Sequence, residues 1–183
     1  MNLLLRTFPT PLGDLRLVTD AQERVRVIDF ADSPPSCLSR LLRLHTGGDP
    51  ILREAPAEGA AVQALRRYFE GDLRALDRLA VVTNGTPLQE RVWAALRGIP
   101  PGQVTTYGAL ARQLGHADPR MAREVGAANA ANPVALVVPC HRVIGKDGDL
   151  KGYAWGLPRK RWLLAHERAE VPAVRTPLLE GFE

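Results

Sequence analysis

The chain has 183 residues, 45% of them hydrophobic and 24% charged, so it can bury a core and is too apolar to be disordered. No apolar run approaches the roughly 20 residues of a membrane-spanning helix, and Arg6, Pro9 and Pro11 interrupt the opening segment too early for a signal peptide. The two cysteines, Cys37 and Cys140, are too few for a disulfide framework or a four-thiolate zinc site. We therefore expect a cytoplasmic protein with a free thiol, no metal and no cofactor.

The net charge of +4 lies entirely in the second half of the sequence. Residues 1–85 carry 11 basic and 11 acidic side chains, whereas residues 86–183 carry 13 basic and 9 acidic side chains. This bias favours a polyanionic partner such as nucleic acid. Since 21 of the 24 basic residues are arginine, a GC-rich genome explains the bias equally well, and charge alone does not decide between the two interpretations.

The pattern of residues 1–85 predicts a small α/β domain. Three short runs that alternate apolar and polar residues, around LRTF, LRLVTD and VRVIDF, indicate a small antiparallel sheet. Two helices follow, around PSCLSRLLRLH and GAAVQALRRYFEGD, and Cys37 is expected only to pack within the first of them. The domain is predicted to end near residue 85, within the joining segment DRLAVVTNG.

Residues 86–170 predict a mostly helical domain, followed by a tail of residues 171–183 whose role the pattern does not indicate. Thr86, an N-cap residue followed by proline, opens a helix through LQERVWAALRGI. A second helix is predicted in TTYGALARQLG, and a third in RMAREVGAANAAN, opened by Asp118 and the proline after it. Two short helices joined by a glycine-containing turn in a basic region indicate a winged-helix-like helix-turn-helix.

The last of these helices consists almost wholly of Ala, Gly and Asn between Ala122 and Ala131, and Arg123 is its one long cation. Such a small-residue face either packs tightly against another helix or lets the backbone approach a ligand closely. A narrow minor groove with its phosphates fits close approach better than the wider major groove. In this second interpretation Arg123 inserts into the duplex.

Cys140 and His141 stand side by side in VVPCHRVIG. A thiol with an ordinary pKa of about 8.5 needs a neighbour that takes its proton, and His141 is the adjacent ionisable group. Successive side chains of an extended strand point to opposite sides, so a turn or a bridging water must connect the pair. Glu167, in LPRKRWLLAHE, is the nearest plausible carboxylate to orient the imidazole. A thiol hydrolase, a redox sensor and a packed cysteine all stay open.

Several motifs together resemble the O6-alkylguanine-DNA alkyltransferases, or methylated-DNA–protein-cysteine methyltransferases. They are Asn132-Pro133, PCHRV at 139–143, Gly152-Tyr153, Lys160 and LLAHE at 163–167. The segments TPLGDLRLV, TPLQERVWAALRGIPPGQVTTYGALA and AREVGAANAANP are similar to the same family, so the resemblance covers nearly the whole chain. It implies a suicidal repair protein that flips O6-methylguanine, and O4-methylthymine as well, out of double-stranded DNA and moves the alkyl group to its own cysteine. It also implies a monomer that binds through the minor groove and has no membrane partner.

The resemblance implies catalytic roles for five residues. Cys140 matches the alkyl acceptor, His141 the water-bridged base and Glu167 the residue that orients this base. Asn132 matches the side chain that braces the turn near the thiol, and Tyr107 matches the tyrosine whose hydroxyl approaches guanine N3.

Further matches concern the DNA and the substrate pocket. Arg123 matches the finger that fills the space of the extruded nucleotide, and the other residues expected at the DNA are Thr106, Ala122, Gly126 and Ala127. The carbonyls of Cys140 and Val143 match the acceptors for the exocyclic amine. The alkyl side of the pocket is expected to consist of Tyr153, the backbone at Ala154 and, at the rim, Trp155.

The sequence departs from the family pattern at the pocket and in the first domain. Where many relatives have Gly-Gly, this chain has Trp155-Gly156, so we expect ready methyl transfer and poor reaction with benzylated guanine. The zinc ligands of some relatives' N-terminal domains, and the zinc-bearing regulatory domain of others, have no counterpart in the sequence.

Three other functions match parts of the pattern. A noncatalytic lesion binder would replace the cysteine that this chain retains. A helix-turn-helix regulator that senses oxidation needs side chains that reach base edges, and the Ala-rich helix offers few. A thiol hydrolase built on Cys140, His141 and Glu167 would turn over a small ester or amide many times.

Overall fold

The computed structural model describes residues 1–48 and 50–171, which form two compact units. The first unit comprises Met1–Thr86 and Pro133–Val137, and the second comprises Pro87–Asn132 and the chain from Val138 onward. The five residues of Pro133–Val137 therefore group with the first unit, although the sequence assigns them to the domain of residues 86–170. Apart from Val171, the predicted tail lies outside the described residues.

A four-stranded sheet forms the centre of the first unit. Strands β1 (Asn2–Phe8), β2 (Leu15–Thr19) and β3 (Val25–Phe30) are antiparallel neighbours, and β4 (Ile51–Glu54) pairs in parallel with β1, in the order β3-β2-β1-β4. The predicted antiparallel sheet is confirmed, whereas β4 was not predicted. Three of the four β4 side chains are exposed, so this strand has no apolar alternation to reveal it.

Two helices complete the first unit, α1 (Pro35–Thr46) and α2 (Ala60–Phe69). Leu41 and Leu42 of α1 pack in one apolar cluster with sheet residues that include Leu3 and Val27. Cys37 is half-buried in α1.

Segment 133–137 lies at the edge of β3. The amide of Ile28 donates a hydrogen bond to the carbonyl of Pro133 at 2.9 Å, and Ile28 also forms a parallel bridge with Val134. Leu136 has φ of +70° and is 1% exposed. A left-handed backbone costs a residue with a Cβ about 1–2 kcal/mol, so the surrounding packing must impose this conformation.

The second unit is mostly helical. Its helices are α3 (Pro87–Arg97), α4 (Tyr107–Gln113), α5 (Met121–Ala130) and α6 (Leu157–His166), and two short parallel strands, β5 (Thr105–Thr106) and β6 (Val143–Ile144), pair beside them. Trp93 of α3 is buried and its Nε1 donates to the carbonyl of Ala128 in α5 at 2.9 Å. None of the helices in the described ranges has the length and apolar composition needed to cross a membrane.

Helices α4 and α5 form the predicted helix-turn-helix. The Thr106 side chain caps α4 by accepting a hydrogen bond from the amide of Ala109 at 3.1 Å, and Gly115, with φ of +86°, turns the chain after α4. Helix α5 begins at Met121, two residues later than the proline signal predicts. The carboxylate of Asp118 accepts from the next-but-one amide at 2.9 Å, so a tight turn precedes the helix.

Candidate active site around Cys140

Cys140 lies in one turn of 3-10 helix, Cys140–Arg142. The backbone at Cys140 is therefore not extended, so the alternation of side chains along a strand does not separate Cys140 from His141. Asn132 lies two residues beyond the end of α5, and its Nδ2 donates to the carbonyl of Val138 at 2.8 Å and to Sγ of Cys140 at 3.1 Å. The thiol is 3% exposed and Asn132 is 2% exposed, so this amide holds the sulfur within the interior.

His141 and Glu167 form a buried pair. Nε2 of His141 lies 2.9 Å from Oε1 of Glu167, and both side chains have no exposed area. Nδ1 of His141 is buried and has no hydrogen-bond partner among the described residues. Because the carboxylate oxygen of Glu167 can only accept, Nε2 must carry the proton of the neutral imidazole. Nδ1 then has a free lone pair.

Arg142 holds the same carboxylate from a second direction. Its Nε donates to Oε2 of Glu167 and its Nη2 to Oε1, each at 2.8 Å, and its Nη1 donates to the carbonyl of Ile99. A bidentate arginine fixes both the position and the plane of a carboxylate. The guanidinium thus fixes the carboxylate that orients the imidazole, a contact that the sequence pattern did not predict.

The ionisation of this pair follows from burial and from the two charges. Burial raises the pKa of Glu167, but the hydrogen bonds from His141 and Arg142 and the charge of Arg142 outweigh it and hold the pKa far below its ordinary 4.5. Burial lowers the pKa of His141 below 6.5 and exceeds the opposing effect of Glu167. At neutral pH the carboxylate is therefore charged and the imidazole is neutral, so Nδ1 can accept a proton.

The thiol itself is protonated at rest. Burial raises the pKa of Cys140 to about 11, although the hydrogen bond from Asn132 and the charge of Lys160 lower it. A buried sulfur in this state becomes a strong nucleophile only when a base removes its proton as it reacts.

Cys140 opens into a cavity of about 420 Å³. The cavity is lined by one residue of α4, three of α5 and the four residues 151–154, namely Tyr107, Gly126, Asn129, Ala130, Lys151, Gly152, Tyr153 and Ala154. The small side chains of α5 thus form one wall. A ligand can reach the sulfur past this helix, which is the approach that the small-residue pattern favours.

Two tyrosines line the cavity. The hydroxyl of Tyr107 donates to the carbonyl of Lys151 at 3.1 Å, whereas the Tyr153 hydroxyl is buried without a hydrogen-bond partner in the described part of the chain. Burial, and secondly the nearby Cys140, raise the pKa of both phenols. Both hydroxyls therefore keep their protons at neutral pH and can donate them.

Two residues that the sequence places on the pocket wall do not line the cavity. Val143 is fully buried in β6. Trp155 is 8% exposed and packs edge-on against the ring of Tyr153, with centroids 5.3 Å apart. The indole can therefore affect the cavity through Tyr153, whose ring it contacts.

Lys160 is a fully buried cation on α6. Its Nζ donates to the carbonyls of Val143 at 2.7 Å, Gly152 at 3.2 Å and Lys151 at 3.3 Å, so it ties β6 to the cavity wall. Burial lowers its pKa to about 8, whereas a thiolate at Cys140 raises it. The sequence offered one sign that Lys160 is buried. It lies three and four residues before Leu163 and Leu164, so the three positions share one helical face.

The residues expected at the DNA all lie in the helix-turn-helix. Arg123 and Ala127 are exposed on α5, and Ala122, Gly126 and Thr106 are half-buried. Of these five residues only Gly126 lines the cavity. The helix that carries the exposed guanidinium is thus the helix that forms the cavity wall.

Comparison with known proteins agrees with this arrangement. Residues 87–169 match the family model for the DNA-binding domain of 6-O-methylguanine DNA methyltransferase. The methylated-DNA–protein-cysteine methyltransferase of Salmonella typhimurium is 48% identical over 168 residues, covering 91% of this chain and 96% of the relative. A Mycobacterium tuberculosis protein of the same name is 40% identical over 170 residues, with coverages of 92% and 94%.

Solved structures of such proteins resemble this chain in fold. The crystal structure of Mycobacterium tuberculosis OGT in complex with DNA superposes with a TM-score of 0.72 at 37% identity, covering 91% of this chain and 94% of that chain. The O6-methylguanine-DNA methyltransferase of Pyrococcus kodakaraensis superposes with a TM-score of 0.61 at 26% identity, with coverages of 90% and 98%.

Helix α5 belongs both to the helix-turn-helix and to the wall of the cavity at Cys140. This arrangement is that of a DNA-binding transferase. The chain belongs to the methylated-DNA–protein-cysteine methyltransferase family, whose members repair DNA by transferring an alkyl group to a cysteine. The resemblance found in the sequence and the predicted fold class are both confirmed.

Proposed function

We propose that this protein removes the methyl group from O6-methylguanine, and from O4-methylthymine, in duplex DNA and keeps it on Sγ of Cys140. The observation that carries the proposal is the cavity of about 420 Å³ that joins Cys140 to α5. A base stacked in a duplex cannot reach a sulfur that is 3% exposed. The nucleotide must therefore rotate out of the helix, which costs a few kcal/mol in unpairing and unstacking.

The chemistry is a displacement at the methyl carbon. The thiol proton passes through a bridging water to Nδ1 of His141, which is neutral and has a free lone pair. The sulfur forms a bond to the methyl carbon as the bond from that carbon to O6 breaks, and the electron pair remains on the guanine. Tyr107, a phenol that keeps its proton at neutral pH, exchanges its hydrogen bond to the Lys151 carbonyl for one to N3 of the leaving base and reduces the negative charge of that base.

The reaction occurs once per molecule. The product is a thioether, and a thioether carbon carries no leaving group that a water or a neighbouring side chain could readily displace. Cys140 therefore remains alkylated, and the protein is consumed in stoichiometric amount by the lesions it repairs.

The DNA contacts follow from α5. Its small residues let the backbone approach a minor groove, and the exposed Arg123 enters the duplex and fills the space that the nucleotide leaves. One chain holds the complete set of Cys140, His141 and Glu167, so we assign a monomer. A free thiol suits a reducing compartment, and we place the protein in the cytoplasm.

Peptide mass tests the proposal. The protein is incubated with duplex DNA that contains O6-methylguanine and is then digested with trypsin, which releases residues 124–142 with Cys140 and residues 27–40 with Cys37. We expect a gain of one methyl group on the first peptide, in a ratio of one per protein, and no gain on the second. A parallel incubation with O4-methylthymine tests the second substrate.

The two cysteines give matched controls. The Cys37→Ser protein should take up one methyl group, and the Cys140→Ser protein should take up none. Repeated turnover without a mass gain would identify a hydrolase instead, and oxidation of Cys140 without methylation would identify a redox sensor.

A further inference from the structure

Asn129 lines the cavity and carries an unpaired acceptor that is buried behind the cavity surface. It is 6% exposed and lines the cavity together with Cys140. Its Nδ2 donates to the carbonyl of Cys140 at 3.4 Å, and its Oδ1 is buried with no hydrogen-bond partner among the residues that the structure describes. Buried amide oxygens nearly always have a partner, so this one calls for a ligand group that can donate.

The carbonyl of Cys140 determines which end of the amide is unpaired. If the amide were turned over, Oδ1 would face the carbonyl oxygen of Cys140, and two acceptors would repel each other. The nitrogen therefore faces the carbonyl and the oxygen is left over. The bond at 3.4 Å is long, so it yields at small cost when a better donor reaches the carbonyl.

The two candidate substrates differ in what they can donate. O6-methylguanine has no proton on N1 but keeps an exocyclic amine with two N–H groups, whereas O4-methylthymine has no N–H group on its base. The resemblance assigns the amine to the carbonyls of Cys140 and Val143. In this structure the Val143 carbonyl already accepts a charge-assisted hydrogen bond from Nζ of Lys160 at 2.7 Å, which leaves it one lone pair for the amine, and Asn129 offers a further acceptor.

We propose that Oδ1 of Asn129 accepts a hydrogen bond from the exocyclic amine and makes the site favour methylguanine over methylthymine. The inference rests on the proposed function. As the base enters, the amine replaces Nδ2 as the donor to the Cys140 carbonyl, and the amide of Asn129 turns to receive the second N–H. A base without the amine leaves Oδ1 buried and unpaired, which is costly.

The test removes the exocyclic amine of the base in one arm and Oδ1 of Asn129 in the other. Rate constants of transfer are measured on duplexes with O6-methylguanine, O6-methylhypoxanthine, which lacks only the amine, and O4-methylthymine. We expect the wild type to react about tenfold faster with methylguanine than with methylhypoxanthine. Asn129→Leu, which keeps the volume and removes the amide, should lower this ratio severalfold, because only backbone carbonyls then accept from the amine, and should shift the preference toward methylthymine.

The ratio of two rates on one preparation is insensitive to partial unfolding, since inactive protein lowers both rates alike. Ala130→Val alters the same wall without touching a polar group and should leave the ratio unchanged. An equal rate on both purines in the wild type, or an unchanged ratio in Asn129→Leu, would overturn the inference. So would loss of both reactions in Asn129→Leu, because Asn129 would then support Cys140 itself. Absence of methyl transfer from every substrate in the wild type would instead reject the proposed function.

Discussion

The Nε2 atom of His141 lies 2.9 Å from Oε1 of Glu167 in a site without solvent exposure. This contact assigns the imidazole proton to Nε2, so the unpaired Nδ1 is the atom that can act as a base. Burial raises the pKa of the Cys140 thiol to about 11, and the base is therefore needed at neutral pH.

The first prediction concerns the pH dependence of transfer. His141→Gln should slow methyl transfer at pH 7 by about 10²–10⁴-fold, the range for loss of a general base. Its rate should then rise about tenfold per pH unit between pH 7 and 9, because it depends on the small thiolate fraction of a thiol with a pKa of about 11. The wild-type rate should be flatter over this range. Parallel profiles of the two proteins in single-turnover measurements would contradict the role of His141.

The second prediction concerns acid stability. Glu167 has a folded pKa far below 4.5, so its stabilising effect is full above pH 4.5 and is lost as the pH falls toward the lowered value. His141 also has a lowered pKa, so its neutral form adds stability that is lost below pH 6.5. Glu167→Gln should reduce the free energy of unfolding at pH 7 by about 3–5 kcal/mol, because Arg142 is left buried without its charge partner.

Urea unfolding at pH 3 to 8 measures this effect. The Glu167→Gln protein should lose less stability than the wild type between pH 5 and 3. The exposed Glu170 offers a matched control, and Glu170→Gln should follow the wild-type curve. If Glu167→Gln and the wild type lost equal stability in acid, the buried carboxylate would not be the cause of the loss.

The third prediction separates duplex binding from chemistry. Arg123→Ala should lower the rate on methylated duplex DNA at least tenfold and leave the reaction with the free base O6-methylguanine nearly unchanged, because a free base needs no extrusion. Arg120→Ala is the control, since Arg120 precedes the same helix and pairs with Asp118 at 2.8 Å. Equal losses on both substrates in Arg123→Ala would exclude the insertion role.

The fourth prediction concerns alkyl size. The indole of Trp155 packs against Tyr153, so it keeps the tyrosine ring in its place on the cavity wall. We expect the wild type to transfer methyl readily and benzyl poorly, and Trp155→Gly should raise the benzyl rate about tenfold relative to the methyl rate. Competition between the two alkylated guanines, read as the mass added to Cys140, measures the ratio. Comparable benzyl and methyl rates in the wild type would disprove the restriction.

The helices could be predicted because their residues repeat at helical spacing. Val62, Leu65 and Tyr68 of α2 are all buried, as their spacing predicts, and Val92 and Trp93 of α3 likewise. Strand β4 could not be predicted, because an exposed edge strand carries no apolar alternation. Its position depends on pairing with β1, a contact distant in sequence.

The sequence predicted the reactive residues of the candidate site, but it did not predict the buried polar residues that hold them in place. A cysteine before a histidine identifies the thiol and its base, but nothing local indicates that Arg142 is buried, since arginine usually lies at the surface. For Lys160 the helical spacing from Leu163 and Leu164 was the one local sign. The burial of both cations depends on acceptors elsewhere in the fold, such as Glu167 for Arg142. Asn129 was equally hidden, because an amide among alanines looks like one more small residue until the cavity is known.

The hydrogen bond between Ile28 and Pro133 bears on how the protein can be divided. A fragment that starts at Pro87 would contain the entire stretch matching the DNA-binding domain, yet its Pro133 carbonyl and Val134 would lose the strand they join. The strained Leu136 would then be free to relax, three residues before the proline that precedes the thiol. Segment 133–137 thus belongs with β3, and chimaeras between relatives should exchange the two together.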